Sequence, residues 1–443
     1  MRIAGVDEEA AMREQPASFI SRFGQEKSLE LNASVCPSTL PSSRKSETIN
    51  QKRPGNGGVF QKEKSMEKIH GTNLGNWLVL EKWMKPDLFE STHTEDETWL
   101  SRKMPADEFA ALIRQHRDTY VTEEDFRFIA ENGLNTVRLP VPYFTFGDRP
   151  PFVGCVEWID KAFDWAEKYG LKILLDLHTV PYSQNGYDNG GITGVCHWYK
   201  HPEEVEFALT VLERLAERYG KRPGLFGIEV LNEPISWIVY LTAPSTGKAV
   251  DKEEAKGSGY VPLRFLKPFY HEAYKRIRKH MGEEKTVVFH DGFRLTSWNR
   301  FFDEAGFQNV ALDTHIYIFA MESFVPLHQP WVYKLFIDIN KKQIESVSRH
   351  VPVIVGEWCI CNRYADKMPK AVMDAEAFEE QKRQKYREIG RFELDAWKAG
   401  AGWFYWNYQL LRDRNIPTDE SWKESWDLAR CLKNGWLTKE MLQ

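Results

Sequence analysis

The sequence predicts an α/β chain whose main body is a (β/α)8 barrel of the TIM type, and three observations carry that expectation. First, eight short apolar runs alternate with helical stretches across about 340 residues, the rhythm of repeated strand–helix units. Second, these runs end in Arg, His, Asn, Glu, Tyr or Trp, and barrels place their chemistry at strand carboxyl ends. Third, 443 residues with 42% hydrophobic content can bury one large core, with two ordinary domains as the alternative.

The elements follow in order. Residues 1–66 hold only Phe19, Phe23 and Phe60 as aromatics and are rich in Ser, Glu and Lys; they cannot bury enough surface to order themselves. They read either as a disordered tail or as a stretch upstream of a functional start at Met66, with 67–443 as the barrel domain. Strands are expected at 69–74, 134–141, 173–177, 227–234, 286–289, 310–317, 351–358 and 402–408. Thr122 suits the N-cap of a helix over 122–130, and Gly133 and Gly170 suit the residues just past helix ends. Helical spacing marks 156–168, 201–219, 265–280, 331–348 and 375–398. The Gly-, Ser-, Lys- and Glu-rich stretch 245–259 reads as a mobile surface loop or as a lid over a pocket.

Composition narrows the function. A net charge of −5 with interspersed signs argues against a nucleic-acid partner, and no run is long enough to span a bilayer. The start lacks a basic, apolar leader, so a cytoplasmic location is expected. Six cysteines are scattered without zinc-like spacing. Neither HExxH, GxGxxG, GxxxxGK[ST] nor GxSxG occurs, which argues against a metal centre or a nucleotide cofactor. Aromatics make up 13% of the chain, and all sixteen tryptophans follow residue 66, consistent with ring faces that stack on sugars or simply fill the core.

The strand ends supply Arg138, His178, Asn232, Glu233, His315, Tyr317, Glu357 and Trp406. Glu233 lies in GIEVLNEP and Glu357 in VPVIVGEW, each a carboxyl after a buried apolar run. Two carboxylates at one barrel mouth beside aromatic platforms suit glycosidic cleavage, which needs one acid and one nucleophile or base. An endo-acting glucanase and a barrel that only binds carbohydrate are the alternatives.

The stretches GTNLGNWLVLEKWMKPDLFE, NTVRLPVPYF, LHTVPYSQNGYDNGG, IEVLNEP, DTHIY and VIVGEW, with Trp406, together resemble glycoside hydrolase family 5. Within it, the fungal exo-β-1,3-glucanase branch is most similar. That resemblance implies a retaining mechanism on β-glucosides or β-glucan oligosaccharides, with Glu233 as acid/base and Glu357 as nucleophile. It also implies that Asn232 holds the sugar 2-hydroxyl, Tyr317 bonds the nucleophile, His178 and His315 orient the site, and Trp406 floors the subsite. Glu81 and Asp188 match acids that close the far end of an exo pocket. Trp83 stands where the branch carries an aromatic, and Tyr187 matches a ring that clamps the next sugar. The third position after Tyr317 is Ala320 rather than a second clamp ring, which leaves linkage and aglycone open. Beside Arg138, Glu357 is expected to stay ionised, and Glu233, near that negative charge, is expected to have a raised pKa and arrive protonated.

Overall fold

The computed structural model describes residues 68–368, 374–418 and 420–443. The expectations for residues 1–66 lie outside the described residues. The unit formed by Glu67–Glu322 and Leu327–Gln443 carries the elements below.

Eight strands form one closed parallel barrel: β1 (Ile69–Asn73), β2 (Thr136–Val141), β3 (Lys172–Leu177), β4 (Leu225–Glu229), β5 (Thr286–His290), β6 (Val310–His315), β7 (Val353–Trp358) and β8 (Gly402–Tyr405). Each pairs with its sequence neighbour, and β8 closes on β1 from Ile69↔Gly402 to Thr72↔Tyr405. Strands packed on both faces read as continuous apolar runs rather than alternating ones, which is why they are legible in the sequence. Helices α1 (Glu123–Glu131), α2 (Val156–Tyr169), α3 (Pro202–Tyr219), α4 (Leu263–Arg278), α5 (Asn299–Ala305), α6 (Pro330–Val347), α7 (Ala375–Trp397) and α8 (Leu428–Lys433) follow the strands in turn. The Thr122 capping box, closed by Asp125, starts α1. Gly170, at φ 72°, ends α2 in the left-handed conformation open to glycine. Among the described residues no helix is long and apolar enough to cross a membrane.

Two helices not anticipated, Glu97–Lys103 and Ala106–Tyr120, fill the β1–α1 connection. They bury Leu100, Phe109 and Ile113 against Leu80, Leu88, Phe89 and Val153, a satellite core beside the barrel. Three strands also end earlier than expected. After Glu229 the chain keeps one ladder bond, Val230 N–H to Val288 O at 3.0 Å, and then Asn232 N–H turns to Leu177 O at 3.0 Å. The strand therefore stops before Pro234, and Glu233 sits in a turn at φ 44°, a backbone state that costs a non-glycine residue about 1–3 kcal/mol. β6 stops at His315, and β8 stops at Tyr405, just before a cis Trp406–Asn407 peptide. Beyond β8 the chain comes back to the mouth: Asn407 N–H bonds Trp426 O at 2.6 Å, and Leu428 N–H bonds Asn407 O at 2.9 Å.

One irregularity bears directly on the mouth. β6 and β7 run in register to Thr314↔Val355, then His315 pairs with Glu357 and Gly356 is left over. Such bulges re-aim the side chains that follow them. Here the skipped Gly356 N–H donates to the carboxylate of Asp313, Oδ1 at 2.6 Å, instead of to the ladder.

Candidate active site

Arg138, on β2 and fully buried, sits at the centre of the site. Its Nε donates to Glu229 Oε2 at 2.7 Å, Nη1 to Asn73 Oδ1 at 3.0 Å and to Glu357 Oε1 at 2.9 Å, and Nη2 to Asn232 Oδ1 at 3.0 Å. Asp176 is 3.0 Å from Nη2 and Asp313 is 3.8 Å from Nε. Burial works against this charge, but Asp176, Glu229, Glu357 and Asp313 outweigh it and hold Arg138 firmly protonated. Such a cation fixes the positions of several acids at once, because its planar fork of donors has little freedom to follow them.

Two of the expected acids meet across one imidazole. His315 Nδ1 lies 2.8 Å from Glu233 Oε1 and 3.3 Å from Glu357 Oε2. Those two oxygens are therefore no more than about 6 Å apart, which suits the ~5–5.5 Å of retaining pairs better than the ~6.5–9.5 Å of inverting ones. Tyr317 donates its hydroxyl to Glu357 Oε2 at 2.7 Å, and Asn189 Nδ2 donates to Glu233 Oε2 at 2.9 Å. His178 shares a 2.5 Å contact between Nδ1 and Asp176 Oδ2 and turns Nε2 toward Asn232 at 3.4 Å. Its ring stacks on Trp406, 5.8 Å away and 9° from parallel. Trp406 is held from the other side by Gly75, where a Cβ would come within 2.7 Å of the indole.

The pKa shift of Glu233 runs opposite to the expectation, and that of Glu357 runs upward despite Arg138. For Glu233, burial raises the pKa, but the hydrogen bond and charge of His315, with Asn189 and His178, carry it below the ordinary carboxyl value. For Glu357, burial and then the charge of Glu233 raise the pKa, and the pull of His315 and Arg138 does not cancel them. The physical reason is the cation between them. Burial opposes a charge on His315, yet Glu357, Asp313 and Glu233 raise its pKa well above the ordinary value. The hydrogen bond between Glu233 and His315 thus lowers the acid and raises the imidazole together.

The remaining expected residues frame the pocket. Glu81 is 4% exposed, its Oε2 accepts from Trp83 Nε1 at 2.8 Å, and its Oε1 is buried without a partner. Burial, then the charge of Asp188, raise Glu81 well above the usual carboxyl range. Asp188, in the β3–α3 loop, is pushed up to about 6, first by burial and against the pull of local backbone N–H groups. An acid with an unpartnered oxygen, near enough to feel the charges of Asp188, Glu357 and Glu233, is a ready partner for sugar hydroxyls. Tyr187 bonds Ala243 O at 2.7 Å, so its clamp position is tied to the 235–260 insertion. That insertion carries a helix, Trp237–Thr242, and is fastened by the paired bonds of Arg102 to Glu254 at 2.7 and 2.8 Å. These contacts tie it to the β1–α1 connection and to Tyr187.

Sequence reasoning missed several members of the site. Asp176, Glu229 and Asp313 lie inside the apolar strand runs, where a lone acid within ILLDL, GIE or ALDTH was itself a signal, since a buried charge needs a partner. Asn73 and Asn189 carried no such mark. Trp422 and Trp426 also went unremarked because they lie past the last strand. Trp426 packs on Tyr317 at 5.1 Å, Phe319 at 5.2 Å and Trp83 at 5.2 Å, and Trp422 stacks on Trp83. A continuous aromatic wall results, running from Glu81 to the Glu357 side. Two groups, Glu233–His290–His315 and Glu229–Asp313–His315, bring three potential metal ligands together. The Arg138 Nε, 2.7 Å from Glu229 and 3.8 Å from Asp313, puts a fixed positive charge beside the second group and opposes a metal cation there.

Comparison with known proteins gives a consistent set of likenesses. The family model for cellulase (glycosyl hydrolase family 5) matches residues 101–409. The chain is 32% identical over 407 residues to the probable glucan 1,3-beta-glucosidase A of Emericella nidulans, covering 83% of this chain and 89% of that protein. It is 31% identical over 379 residues to the glucan 1,3-beta-glucosidase of Blumeria graminis, covering 77% and 82%. Among solved structures, rutinosidase from Aspergillus niger superposes with a TM-score of 0.62 at 18% identity, over 84% of this chain and 98% of that one, a likeness of fold.

Proposed function

The chain belongs to glycosyl hydrolase family 5, and from that premise we propose that it is a retaining, exo-acting β-glucosidase that removes terminal glucose from β-glucans or related β-glucosides. The observation that carries the retaining reading is the single imidazole nitrogen within 3.3 Å of an oxygen of each acid. Carboxyls that close leave no room for a water between nucleophile and sugar, so one of them must attack directly.

Glu357 is the nucleophile. Arg138 and Tyr317 hold both its oxygens, aiming it while the glycosyl ester forms at the anomeric carbon. Glu233 is the acid/base, and its proton goes to the glycosidic oxygen as the aglycone departs. In the second half it takes a proton from the attacking water, and the Glu357 carboxylate leaves. Glu81 and Asp188 close the far end, which supports exo action over the endo alternative. A barrel that only binds sugar would not need an acid and a nucleophile gripped at this spacing. The relatives named as glucan 1,3-beta-glucosidases support a β-1,3 linkage. The leaving-group side, where Ala320 is exposed and Phe319 is 36% exposed, is open enough for other aglycones.

The test is hydrolysis of p-nitrophenyl β-glucoside beside laminari-oligosaccharides, together with Glu233→Ala in added azide. A β-glucosyl azide from the variant is the expected product. Azide that neither accelerates the variant nor appears in product would remove Glu233 from the acid/base role.

A further inference from the structure

His315 has an acid beside each ring nitrogen, and neither Nε2 nor the Asp313 oxygen it faces has another hydrogen-bond partner. Nδ1 faces Glu233 and Glu357, and Nε2 faces Asp313 Oδ2 at 3.5 Å. Asp313 is fully buried, and its Oδ2 has no hydrogen-bond partner. The backbone is shaped around this carboxylate. Gly356 N–H donates to Oδ1 at 2.6 Å, and a Cβ on Gly356 would fall 1.9 Å from Oδ2 and 2.3 Å from Oδ1. The bulge at Gly356 and the absence of a side chain there make room for the Asp313 carboxyl immediately beneath Glu357.

A neutral imidazole carries one N–H and one lone pair. Beside Asp313, Nε2 keeps its hydrogen, since a lone pair facing a carboxylate is repelled. The remaining proton is then confined to the line between Nδ1 and Glu233 Oε1, either as imidazolium and carboxylate or as imidazole and carboxylic acid. We propose that Asp313 is a positioning residue for the acid/base: by fixing Nε2–H and favouring positive charge on His315, it stores on the His315–Glu233 hydrogen bond the proton that the glycosidic oxygen receives. In the first step the proton passes from Nδ1 to Oε1 and on to the leaving oxygen, and His315 is left neutral with Nε2–H toward Asp313. In the second step Glu233 takes a proton from water and shares it back with Nδ1, which restores the starting state. This inference rests on the assignment of Glu233 as acid/base.

The other groups facing His315 do not supply the same hold. Arg138 from β2 adds positive charge and disfavours a proton on His315. Glu229 on β4 spends Oε2 on Arg138 Nε at 2.7 Å, and burial raises its pKa well above the ordinary value despite that cation. His290 on β5 packs edge-on at 4.4 Å and is kept neutral by burial and by the charge of His315. Asp291 spends its carboxylate on Phe293 N–H at 2.6 Å and on the Thr314 hydroxyl at 3.0 Å. Glu357 lies on the Nδ1 side and is consumed when the glycosyl ester forms. Asp313, 3.5 Å away, is the acid that pairs with Nε2 through the whole cycle, and Glu229, tied to Arg138, stands within 4.8 Å of the same cluster.

The experiment is the pH profile of kcat/KM for wild type, Asp313→Asn and Glu229→Gln. The alkaline limb reports loss of the shared proton from the free enzyme. Removing one carboxylate at this range should lower that limb by about 1–3 pH units in Asp313→Asn, and by clearly less in Glu229→Gln, whose carboxyl is held by Arg138. An Asp313→Asn limb that coincides with wild type, or an equal shift in Glu229→Gln, would overturn the inference. Should Asp313→Asn fail to fold, 15N-histidine NMR of the wild-type enzyme decides: a His315 ring that carries hydrogen on Nε2 at neutral pH, with or without a second on Nδ1, supports the proposal, and a ring protonated on Nδ1 alone refutes it. Azide rescue of Glu233→Ala is independent of all these readings. Rescue with an unmoved limb leaves the glucosidase reading standing and removes this one, whereas lost rescue removes the glucosidase reading first.

Discussion

Arg138→Met is the substitution whose consequences follow most directly from the geometry. The guanidinium is buried and lies within 3.8 Å of Asp176, Glu229, Asp313 and Glu357. Met fills much of the same space but leaves these acids facing one another. Breaking a buried ionic cluster by removing one partner costs about 3–5 kcal/mol, which corresponds to a Tm loss of roughly 4–6 °C for a barrel of this size at about 2.1 cal/mol/K per residue. The loss should depend on pH in a definite sense. Without the cation, burial and mutual repulsion lift the folded-state pKa values of these carboxyls above their unfolded values. Such groups favour the folded state when protonated, so stability is retained at low pH and lost as pH rises through the folded pKa values. Thermal unfolding of wild type and variant, followed by circular dichroism at mildly acidic and mildly alkaline pH, should show the smaller Tm difference in acid. An equal difference at both pH values, or a cost below about 1 kcal/mol, falls outside what a buried cluster allows and would refute the reasoning.

Other consequences are equally checkable. Burial and the neighbouring Glu233 raise Glu357 above the ordinary value of 4.5, so the acid limb of kcat/KM should lie above pH 4.5, with activity lost as pH falls and the nucleophile protonates. Tyr317→Phe removes a hydrogen bond to a charged group at 2.7 Å, worth about 1.5–3 kcal/mol. It should cut kcat about 10- to 150-fold, with a pre-steady-state burst, because the hydrogen bond also steadies Glu357 as it leaves. Trp426→Ala should cost about 3–5 kcal/mol of stability and raise KM more than it lowers kcat, since Trp426 packs behind Tyr317, Phe319 and Trp83.

What was legible in the sequence follows from where the physics is local. The barrel strands are apolar because both faces are buried, and Thr122 and Gly170 mark helix ends through their own backbone chemistry, so these elements are visible without a fold. Glu233 and Glu357 are visible because polar groups after apolar runs fall at the barrel mouth. The end of β4 was misplaced because Asn232 leaves the β5 ladder for a bond to β3, a choice made by the tertiary structure rather than by Pro234. The downward shift of Glu233 is hidden for a similar reason: it depends on His315 lying beside both acids, and no spacing in the chain reports that arrangement. The helices at Glu97–Lys103 and Ala106–Tyr120, and the approach of Trp422 and Trp426, lie in connections whose course is set by what they cover. Asp313 is the instructive omission. It stands in plain view in DTHIY, two residues before His315, but its meaning depends on a glycine 43 positions later, recorded only in the Gly356 hydrogen bond.

The assignment of Glu357 as nucleophile is tested most directly by trapping. The enzyme would be incubated with an activated 2-deoxy-2-fluoro-β-glucoside, which slows both steps of a retaining reaction but slows release of the intermediate more, and the labelled peptide would then be sequenced by mass spectrometry. A single fluoroglucosyl ester on the Glu357 side chain is the expected result. Turnover of ordinary β-glucosides without any adduct, or an adduct carried by Glu233, would contradict it.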